Sequence, residues 1–247
     1  MRLDAQAHYV RVFEDAESLS RAAAGRFAEV ASESIESSGR FAVALAGGST
    51  PRRVYEILSG GDFGGALDWS KCHVFFGDER CVPPDDAESN YRMADESLLS
   101  RVALPRRNVH RMRGEGDAVA NARGYEDELR EFFKGTDWPA FDLVMLGMGD
   151  DGHTASLFPG SEALRETRAW VVANWVEKFG AYRLTLTAPS INGARRVLFL
   201  VAGAGKAATL REVLKGDRDP ARLPSQLIRP AGGSPEWFVD RAASARL

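Results

Sequence analysis

The sequence has few cysteines and no long apolar run. Among its 247 residues only Cys72 and Cys81 are cysteines; they lack the paired spacing of a metal-binding motif, and no secretory segment precedes them. No apolar stretch approaches the roughly 20 residues that a membrane-spanning helix needs. We therefore expect a cytoplasmic protein with reduced thiols that does not insert into a membrane.

An excess of positive charge is also missing. Lys and Arg total 32 against 35 Asp and Glu, which gives a net charge of -3 and an isoelectric point near 5.9. The Arg-Arg pairs that begin at Arg52, Arg106 and Arg195 are scattered along the chain, and we interpret them as solvated surface charge. Because nucleic-acid binding needs clustered basic surface that neutralises phosphates, the composition argues against a nucleic-acid partner.

The histidines are too few and too scattered for a metal-binding motif. The chain has four, His8, His73, His110 and His153, and none belongs to a His-Glu-x-x-His or His-rich group. We therefore expect no catalytic zinc site and no metal cofactor.

What remains is the composition of an ordinary globular protein, with 44% hydrophobic and 27% charged residues. Its apolar periodicity predicts alternating strands and helices, and Asp15 and Gly39 are expected to cap the first helix. The predicted strands are 41–46, 72–77, 141–146, 169–173, 182–187, 196–201 and 237–239, and the predicted helices are 16–38, 52–59, one from about 90, 117–133 and 205–215. This order predicts a single α/β domain over residues 1–247, with a mainly parallel sheet covered by helices on both faces.

The most informative stretch is 147–160, Gly-Met-Gly-Asp-Asp-Gly-His-Thr-Ala-Ser-Leu-Phe-Pro-Gly. It follows the apolar run 141–146, which we interpret as a buried parallel strand. Ligands in open α/β sheets bind beyond the carboxyl ends of the strands, so Asp151 and His153 are expected in the binding crevice. A histidine held by a carboxylate suits proton transfer near neutral pH, and a structural histidine that ties down the turn is the alternative.

The same stretch formally matches the dinucleotide fingerprint through Gly147, Gly149 and Gly152. Asp150 and Asp151 would place negative charge where a pyrophosphate binds, and no clear acidic residue ends a following strand about 20 positions on. The pattern therefore argues against a nucleotide cofactor.

A second candidate site is the turn Gly47-Gly48-Ser49-Thr50-Pro51, which follows the strand at 41–46. Its glycines let the backbone approach an anion, its hydroxyls can cap a helix or donate to a phosphate, and Pro51 fits the first helical position. A plain capped turn from strand to helix is the alternative interpretation.

Further polar groups follow other strands. Asp78, Glu79 and Arg80 come directly after the strand at 72–77, and Lys206 begins a helix after the strand at 196–201, where a phosphate could bind. A surface ion-pair cluster and a solvated helix residue are the alternatives. Arg183 is a weaker candidate for the same pocket, with a charged residue at a sheet edge as the competing interpretation.

Together these segments resemble the 6-phosphogluconolactonase family. Five motifs occur in the family's order from about residue 8 to 242. They are Ala-Gly-Gly-Ser-Thr-Pro at 46–51, the stretch from Trp69 through Phe-Gly-Asp-Glu-Arg-Cys-Val-Pro at 76–83 to Ser89-Asn90, the glycine-rich stretch 147–160, Arg-Leu-Thr-Leu-Thr at 183–187, and Gly203-x-x-Lys206.

The resemblance implies a Rossmann-like three-layer α/β/α fold, similar to that of glucosamine-6-phosphate deaminases and ribose-5-phosphate isomerases. It also implies hydrolysis of 6-phosphoglucono-δ-lactone, a sugar-phosphate substrate, without a cofactor and by a monomer or small homo-oligomer. His153 would be the general base and Asp151 would orient it, while Arg80 would face the oxyanion or the substrate. The implied substrate- and phosphate-binding residues are Gly47, Gly48, Ser49, Thr50, Asp78, Arg183 and Lys206.

Two other functions share parts of this pattern. Glucosamine-6-phosphate deaminases resemble the chain through the Gly-Ser-Thr-Pro turn and Asp-Gly-His, but they carry a Glu that assists ring opening where Phe158 stands here. An apolar ring cannot relay a proton, which favours the lactonase. Sugar-phosphate sensors are the second alternative, but they usually carry an added DNA-binding segment, for which we see no room ahead of the first core helix.

Overall fold

The computed structural model describes residues 9–61, 63, 65 and 67–247. His8 lies outside the described residues, as does the beginning of the predicted domain, so the prediction that residues 1–247 form one domain stays a prediction. The described strands are β1 (Tyr9–Phe13), β2 (Phe41–Leu45), β3 (Cys72–Phe76), β4 (Asp78–Arg80), β5 (Leu143–Gly147), β6 (Val171–Val176), β7 (Ala181–Leu186), β8 (Val197–Val201) and β9 (Glu236–Asp240).

The α-helices alternate with these strands along most of the described chain. They are α1 (Ala16–Ser38), α2 (Ser49–Leu58), α3 (Asn90–Ala94), α4 (Ala118–Phe132), α5 (Ala188–Asn192) and α6 (Ala207–Lys215). A π-helical turn, Asp95–Leu99, continues α3, and a short 3₁₀ turn, Ala204–Lys206, precedes α6. The sequence prediction missed β1, β4 and α5, which are all five residues or shorter.

The main sheet has six strands in the order β1-β9-β8-β5-β2-β3, and every pair within it is parallel. The predicted α/β fold with a mainly parallel sheet is therefore confirmed. All five residues of β2 and of β8 are buried. Such fully apolar strands are typical of a parallel sheet whose two faces are covered by helices.

The structure also contains a second, smaller sheet that the sequence did not predict. The strands expected at 169–173 and 182–187 exist as β6 and β7, but they lie outside the main sheet and form an antiparallel three-stranded sheet in the order β4-β7-β6. Four residues join β6 to β7, whereas a parallel crossover needs a dozen or more. The short connection in the sequence already excluded a parallel pair.

The helix ends follow local chemistry. Asp15 caps α1 by accepting a hydrogen bond from the backbone N–H of Ser18, and Gly39 ends the helix in the left-handed region with φ of 76°. α2 differs from prediction because it begins at Ser49, so Pro51 is its third residue and the preceding Gly48, which has no side chain, occupies the cap position.

The order of the main sheet fixes where a ligand can bind. The chain passes from β2 outward to β3 on one side, and it then returns to build β5, β8 and β9 on the other side. The point where the strand order reverses therefore lies between β2 and β5. The turn that begins at Gly47 follows β2, and the glycine-rich stretch that holds His153 follows β5, so both stand at this crevice.

A continuous hydrophobic cluster extends from Leu19 in α1 to Ala243 near the carboxyl terminus. Within it the rings of Phe199 and Trp237 on neighbouring strands stack with centroids 3.8 Å apart. The helices of the described residues include none that is both long and apolar enough to cross a membrane.

A pair of histidines, His73 and His110, lies beside β3, which is an edge strand of the main sheet. His73 Nδ1 lies 3.2 Å from His110 Nε2, and His110 Nδ1 lies 2.6 Å from a carboxylate oxygen of Glu128. Burial, followed by the charges of His110, Arg40 and Arg107, lowers the pKa of His73 to about 4. The imidazole of His73 therefore binds a proton more readily in the unfolded chain than in the folded chain, and its protonation favours unfolding.

We expect the folded state to lose stability as the pH falls from about 6.5 to about 4, and His73→Gln to reduce that loss. The fall in Tm between pH 7 and pH 4.5 should be a few degrees smaller in the variant, because half-exposure screens the effect. Calorimetric scans of both proteins at the two pH values measure it. Equal losses of Tm in the two proteins would contradict the assignment.

Candidate active site

A pocket of about 370 Å³ opens at the carboxyl ends of β2 and β5. Nine of the ten site residues predicted from the sequence line it, namely Gly47, Gly48, Ser49, Thr50, Asp78, Arg80, His153, Arg183 and Lys206. The tenth, Asp151, holds the ring of His153 through a hydrogen bond. The tertiary structure thus brings together residues that come from five separate segments of the chain.

A larger cavity, of about 600 Å³, lies away from these residues, beside Arg195 and Arg196. Both arginines already have acidic partners: Arg196 contacts Glu33 at 2.8 Å and Arg195 contacts Asp142 at 3.5 Å. Because its charges are mutually compensated and it holds none of the predicted groups, we place the chemistry in the smaller pocket.

His153 and Asp151 form a hydrogen-bonded pair. His153 Nδ1 lies 2.5 Å from Asp151 Oδ1, and the same carboxylate oxygen accepts the backbone N–H of His153 at 3.2 Å. An ionised carboxylate can only accept hydrogen bonds, so the proton between the two groups belongs to Nδ1. This tautomer leaves the lone pair of Nε2 free to accept a proton, which is the state that a general base requires.

The carboxyl group of Asp151 is held in its ionised form. Burial raises its pKa, but the hydrogen bond from His153, the charge of that imidazole and the ammonium of Lys178 outweigh burial. The net pKa of Asp151 lies below its ordinary value. The group that orients His153 therefore stays negatively charged near neutral pH.

The imidazole of His153 also has an aromatic neighbour. The ring of Phe158 stacks on it with centroids 4.1 Å apart and planes inclined by 28°. Phe179 in turn meets Phe158 edge to face at 5.7 Å. The ring of Phe158 thus fixes the plane of the imidazole, and it offers no group that could carry a proton.

Glycine is required where the backbone approaches this pair. A Cβ on Gly149 would lie 2.0 Å from His153 Nδ1 and 2.8 Å from Asp151 Oδ1. Gly149 N–H also donates to the carbonyl oxygen of His153 at 2.9 Å, which closes the turn. Gly147 in the same stretch has open space around its Cα.

The first turn of α2 faces the pocket with unoccupied donors. Gly48 precedes the helix with φ of 103°, and no side chain caps the helix. The hydroxyls of Ser49 and Thr50 line the pocket and, among the described residues, have no hydrogen-bond partner. A helix amino terminus with free N–H groups and two hydroxyls is suited to bind an anion. This geometry favours an anion site over a plain capped turn.

Arg80 and Arg183 lie directly opposite each other on β4 and β7. Neither has an acidic partner within 4 Å among the described residues; Arg80 donates to the carbonyl oxygen of Glu88, and its Nε is buried without a partner. Burial, followed by the charge of Arg80, lowers the pKa of Arg183. Like charges opposite each other are unfavourable unless an anion joins them. The pair therefore forms a positive wall of the pocket.

The structure decides two alternatives that concerned these arginines and their neighbours. Arg183 is half-buried on β7, the central strand of the small sheet, so it is not a residue at a sheet edge. Asp78 and Glu79 are buried and do not form a surface ion-pair cluster. Glu79 accepts backbone N–H groups of Asn90 at 2.7 Å and Tyr91 at 2.8 Å, and burial raises its pKa.

Asn90 and Ser156 line the pocket and were not predicted as site residues. Ser156 Oγ donates to Asp78 Oδ2 at 2.7 Å, and Asn90 Nδ2 donates to the carbonyl oxygen of Asp78 at 2.9 Å. Both residues belong to the sequence motifs that suggested the family. Their side chains hold Asp78, and a Cβ on Gly47 would lie 2.0 Å from Asn90 Oδ1.

Lys206 is partly buried in the turn before α6, and its ammonium forms an ion pair with the exposed carboxylate of Asp150. It is therefore not a freely solvated helix residue. An anion that enters the pocket would displace the carboxylate of Asp150 from the ammonium of Lys206. Among the described residues, no three His, Cys, Asp or Glu side chains are grouped so that they could hold a metal ion.

We expect Gly149→Ala to break the contact between His153 and Asp151, because the new Cβ would overlap both side chains. The low-field proton resonance of the imidazole Nδ1–H should disappear from the NMR spectrum at neutral pH. Gly147→Ala is the matched control and should keep the resonance. A normal resonance in Gly149→Ala would show that the turn adapts.

Comparison with known proteins places this geometry in a family. The sequence model of glucosamine-6-phosphate isomerases/6-phosphogluconolactonase matches residues 14–237. The chain is 44% identical over 217 residues to the 6-phosphogluconolactonase of Nostoc sp., which covers 86% of this chain and 87% of that protein.

Solved structures agree. The 6-phosphogluconolactonase from Trypanosoma cruzi superimposes with a TM-score of 0.87 at 29% identity, covering 99% of this chain and 98% of its own. A monomeric glucosamine-6-phosphate deaminase has the same fold, with a TM-score of 0.80 at 23% identity over 97% of this chain and all of its own. The predicted fold class is thereby confirmed, and the chain belongs to the glucosamine-6-phosphate isomerase/6-phosphogluconolactonase family.

Proposed function

We propose that the chain hydrolyses 6-phosphoglucono-δ-lactone to 6-phosphogluconate, the second step of the oxidative pentose phosphate pathway. The observation that carries the proposal is the hydrogen bond between His153 and Asp151 beside a pocket that three cationic side chains also line. Its relatives in Nostoc sp. and Trypanosoma cruzi, which are named 6-phosphogluconolactonase, support the substrate.

In the proposed reaction His153 Nε2 takes a proton from a water molecule while the water oxygen attacks the lactone carbonyl carbon. The carbonyl electrons move onto oxygen and give a tetrahedral oxyanion. When this intermediate collapses, the bond from the carbonyl carbon to the ring oxygen breaks, and the imidazolium returns its proton to that oxygen. Asp151 stabilises the imidazolium between the two proton transfers and keeps the ring in one tautomer.

The proposed phosphate site is the amino terminus of α2 together with Lys206. The hydroxyls of Ser49 and Thr50 and the backbone N–H groups beside Gly47 and Gly48 supply donors, and Lys206 supplies charge. Binding energy at the phosphate then holds the distant carbonyl carbon against the base, so it contributes to rate through orientation.

Arg80 and Arg183 are proposed to meet the other oxygens of the substrate. Arg80 faces the developing oxyanion, and Arg183 contributes positive charge beside it, with Asp78 available to accept from sugar hydroxyls. Positive groups placed where negative charge develops are typically the largest contribution to such catalysis. The opposed arginines are unfavourable without an anion, so substrate binding relieves their repulsion.

A lactone is an activated ester, so the proposal needs no covalent nucleophile. The sequence has no Gly-x-Ser-x-Gly elbow, which favours direct attack by water. Phe158 stacks on the base and cannot act as the proton relay that ring opening of an amino sugar would use. The proposed cofactor requirement is none, and the proposed assembly is a monomer or small homo-oligomer.

We expect His153→Ala to reduce hydrolysis of freshly generated 6-phosphogluconolactone by about 10²–10⁴-fold, to near the spontaneous rate, because the water loses its base. Loss of the lactone is followed with and without protein. Neither protein should release ammonia from glucosamine-6-phosphate. Equal lactone hydrolysis by wild type and variant would remove His153 as the base, and ammonia release would favour the deaminase.

A second set of variants separates the proposed role of Lys206 in phosphate binding from that of Arg80 at the oxyanion. Lys206→Met should raise KM by roughly tenfold with a smaller change in kcat, because it weakens phosphate binding in every state. Arg80→Met should lower kcat by about 10²-fold, because the oxyanion loses its donor. Steady-state kinetics of both variants and of Arg80→Lys measure the split. A KM effect for Arg80 and a kcat effect for Lys206 would reverse the assignment.

A further inference from the structure

The turn between β6 and β7 contacts the pair of His153 and Asp151 at the edge of the pocket. It consists of a 3₁₀ turn, Glu177–Phe179, that Gly180 ends in the left-handed region with φ of 57°. Lys178 and Phe179 project from this turn, and the guanidinium of Arg183 lies over the ring of Phe179 at 4.8 Å. Since Phe179 also packs on Phe158, the turn is anchored beside His153.

The two carboxylate oxygens of Asp151 have different partners. Oδ1 accepts from the ring and the backbone of His153, whereas Oδ2 lies 3.4 Å from the Nζ atom of Lys178. A single carboxylate thus joins the imidazole to an ammonium group that comes from another segment of the chain.

We propose that Lys178 is a positioning residue that acts through Asp151 to keep the imidazole of His153 in its neutral, proton-accepting form. The inference rests on the proposed function for its meaning in catalysis, but the contact itself does not. Lys178 is not among the residues that line the pocket, so the role proposed for it runs through its contact with Asp151.

The other charged groups near His153 have different partners or line the pocket. Asp78 is held by Ser156, and Asp150 is paired with Lys206, so Asp151 is the carboxylate in contact with the imidazole. The cationic groups that face the same pocket are Arg80, Arg183 and Lys206. These three remain in place when Lys178 is changed, so a variant at Lys178 isolates its contribution.

The sign of the effect follows from the charges. A carboxylate beside an imidazole favours the protonated ring, and an ammonium beside that carboxylate opposes this preference. Without Lys178 the full charge of Asp151 faces His153, so a larger fraction of His153 carries two protons at a given pH. An imidazolium cannot take a proton from water, so activity at acid pH falls.

The size of the effect is set by exposure. The side chain of Lys178 is 62% exposed and that of Asp151 31%, so solvent and salt screen the contact. We expect Lys178→Met to move the midpoint of the acid limb of the kcat/KM profile upward by about 0.3–0.7 pH unit. Below the midpoint this corresponds to a roughly threefold loss of activity, with no loss on the alkaline plateau.

The experiment compares wild type, Lys178→Met, Lys178→Arg and Lys178→Glu. Lys178→Arg keeps the charge and should restore the wild-type midpoint, whereas Lys178→Glu should shift it further in the same direction as Lys178→Met. Lys71→Met is the matched control, because Lys71 is an exposed lysine that lies 3.4 Å from Asp68. It should leave the midpoint unchanged.

A second measurement does not use the substrate. Proteins labelled at the Cε1 carbon of histidine are titrated by NMR, and the resonance of His153 is assigned by its absence in His153→Gln. The titration midpoint of His153 should rise by the same amount in Lys178→Met. The difference from wild type should shrink in 1 M salt, where charges are screened within about 3 Å.

The outcomes separate this inference from the proposed function. If wild type does not hydrolyse the lactone, the proposed function fails, and the NMR titration still decides the role of Lys178. An unchanged His153 midpoint in Lys178→Met overturns the role of Lys178, whatever the activity. A uniform loss of activity at all pH values, with no shift in the midpoint, also overturns it, because that result indicates a purely structural contact.

Discussion

The site depends on the reversal of strand order between β2 and β5. Because parallel strands end at the same edge of the sheet, the turns that follow them must share one crevice, and at the reversal the two turns separate enough to admit a ligand. The turn at Gly48 follows one strand and the turn of His153 follows the other.

The small antiparallel sheet completes what the main sheet begins. Its strand β4 continues almost directly from β3, with Gly77 between them, and this carries Arg80 from the core to the pocket. Pairing with β7 then sets Arg183 against Arg80, and the turn after β6 brings Lys178 to Asp151. One register of pairing therefore fixes both the cationic wall and the outer contact of the hydrogen-bonded pair of His153 and Asp151.

The charges of the pocket contrast with those of the chain. The protein is slightly acidic overall, with a net charge of -3, yet two opposed arginines and a lysine face one small cavity. Such a cluster is unfavourable by itself, because like charges repel and partial burial removes water from them. Its occurrence beside an oriented histidine is the physical argument that the cavity receives an anionic substrate.

The sequence by itself determined the features that depend on neighbouring residues. Asp15 and Gly39 marked the ends of α1, apolar runs marked the buried strands, and the glycines around His153 marked a turn. Tertiary structure alone decided the opposition of Arg80 and Arg183, the burial of Glu79 and the contact of Lys178 with Asp151. Caps, turns and periodicity are encoded within a few residues, whereas pairing between distant segments is fixed only when the whole sheet and its covering helices pack together.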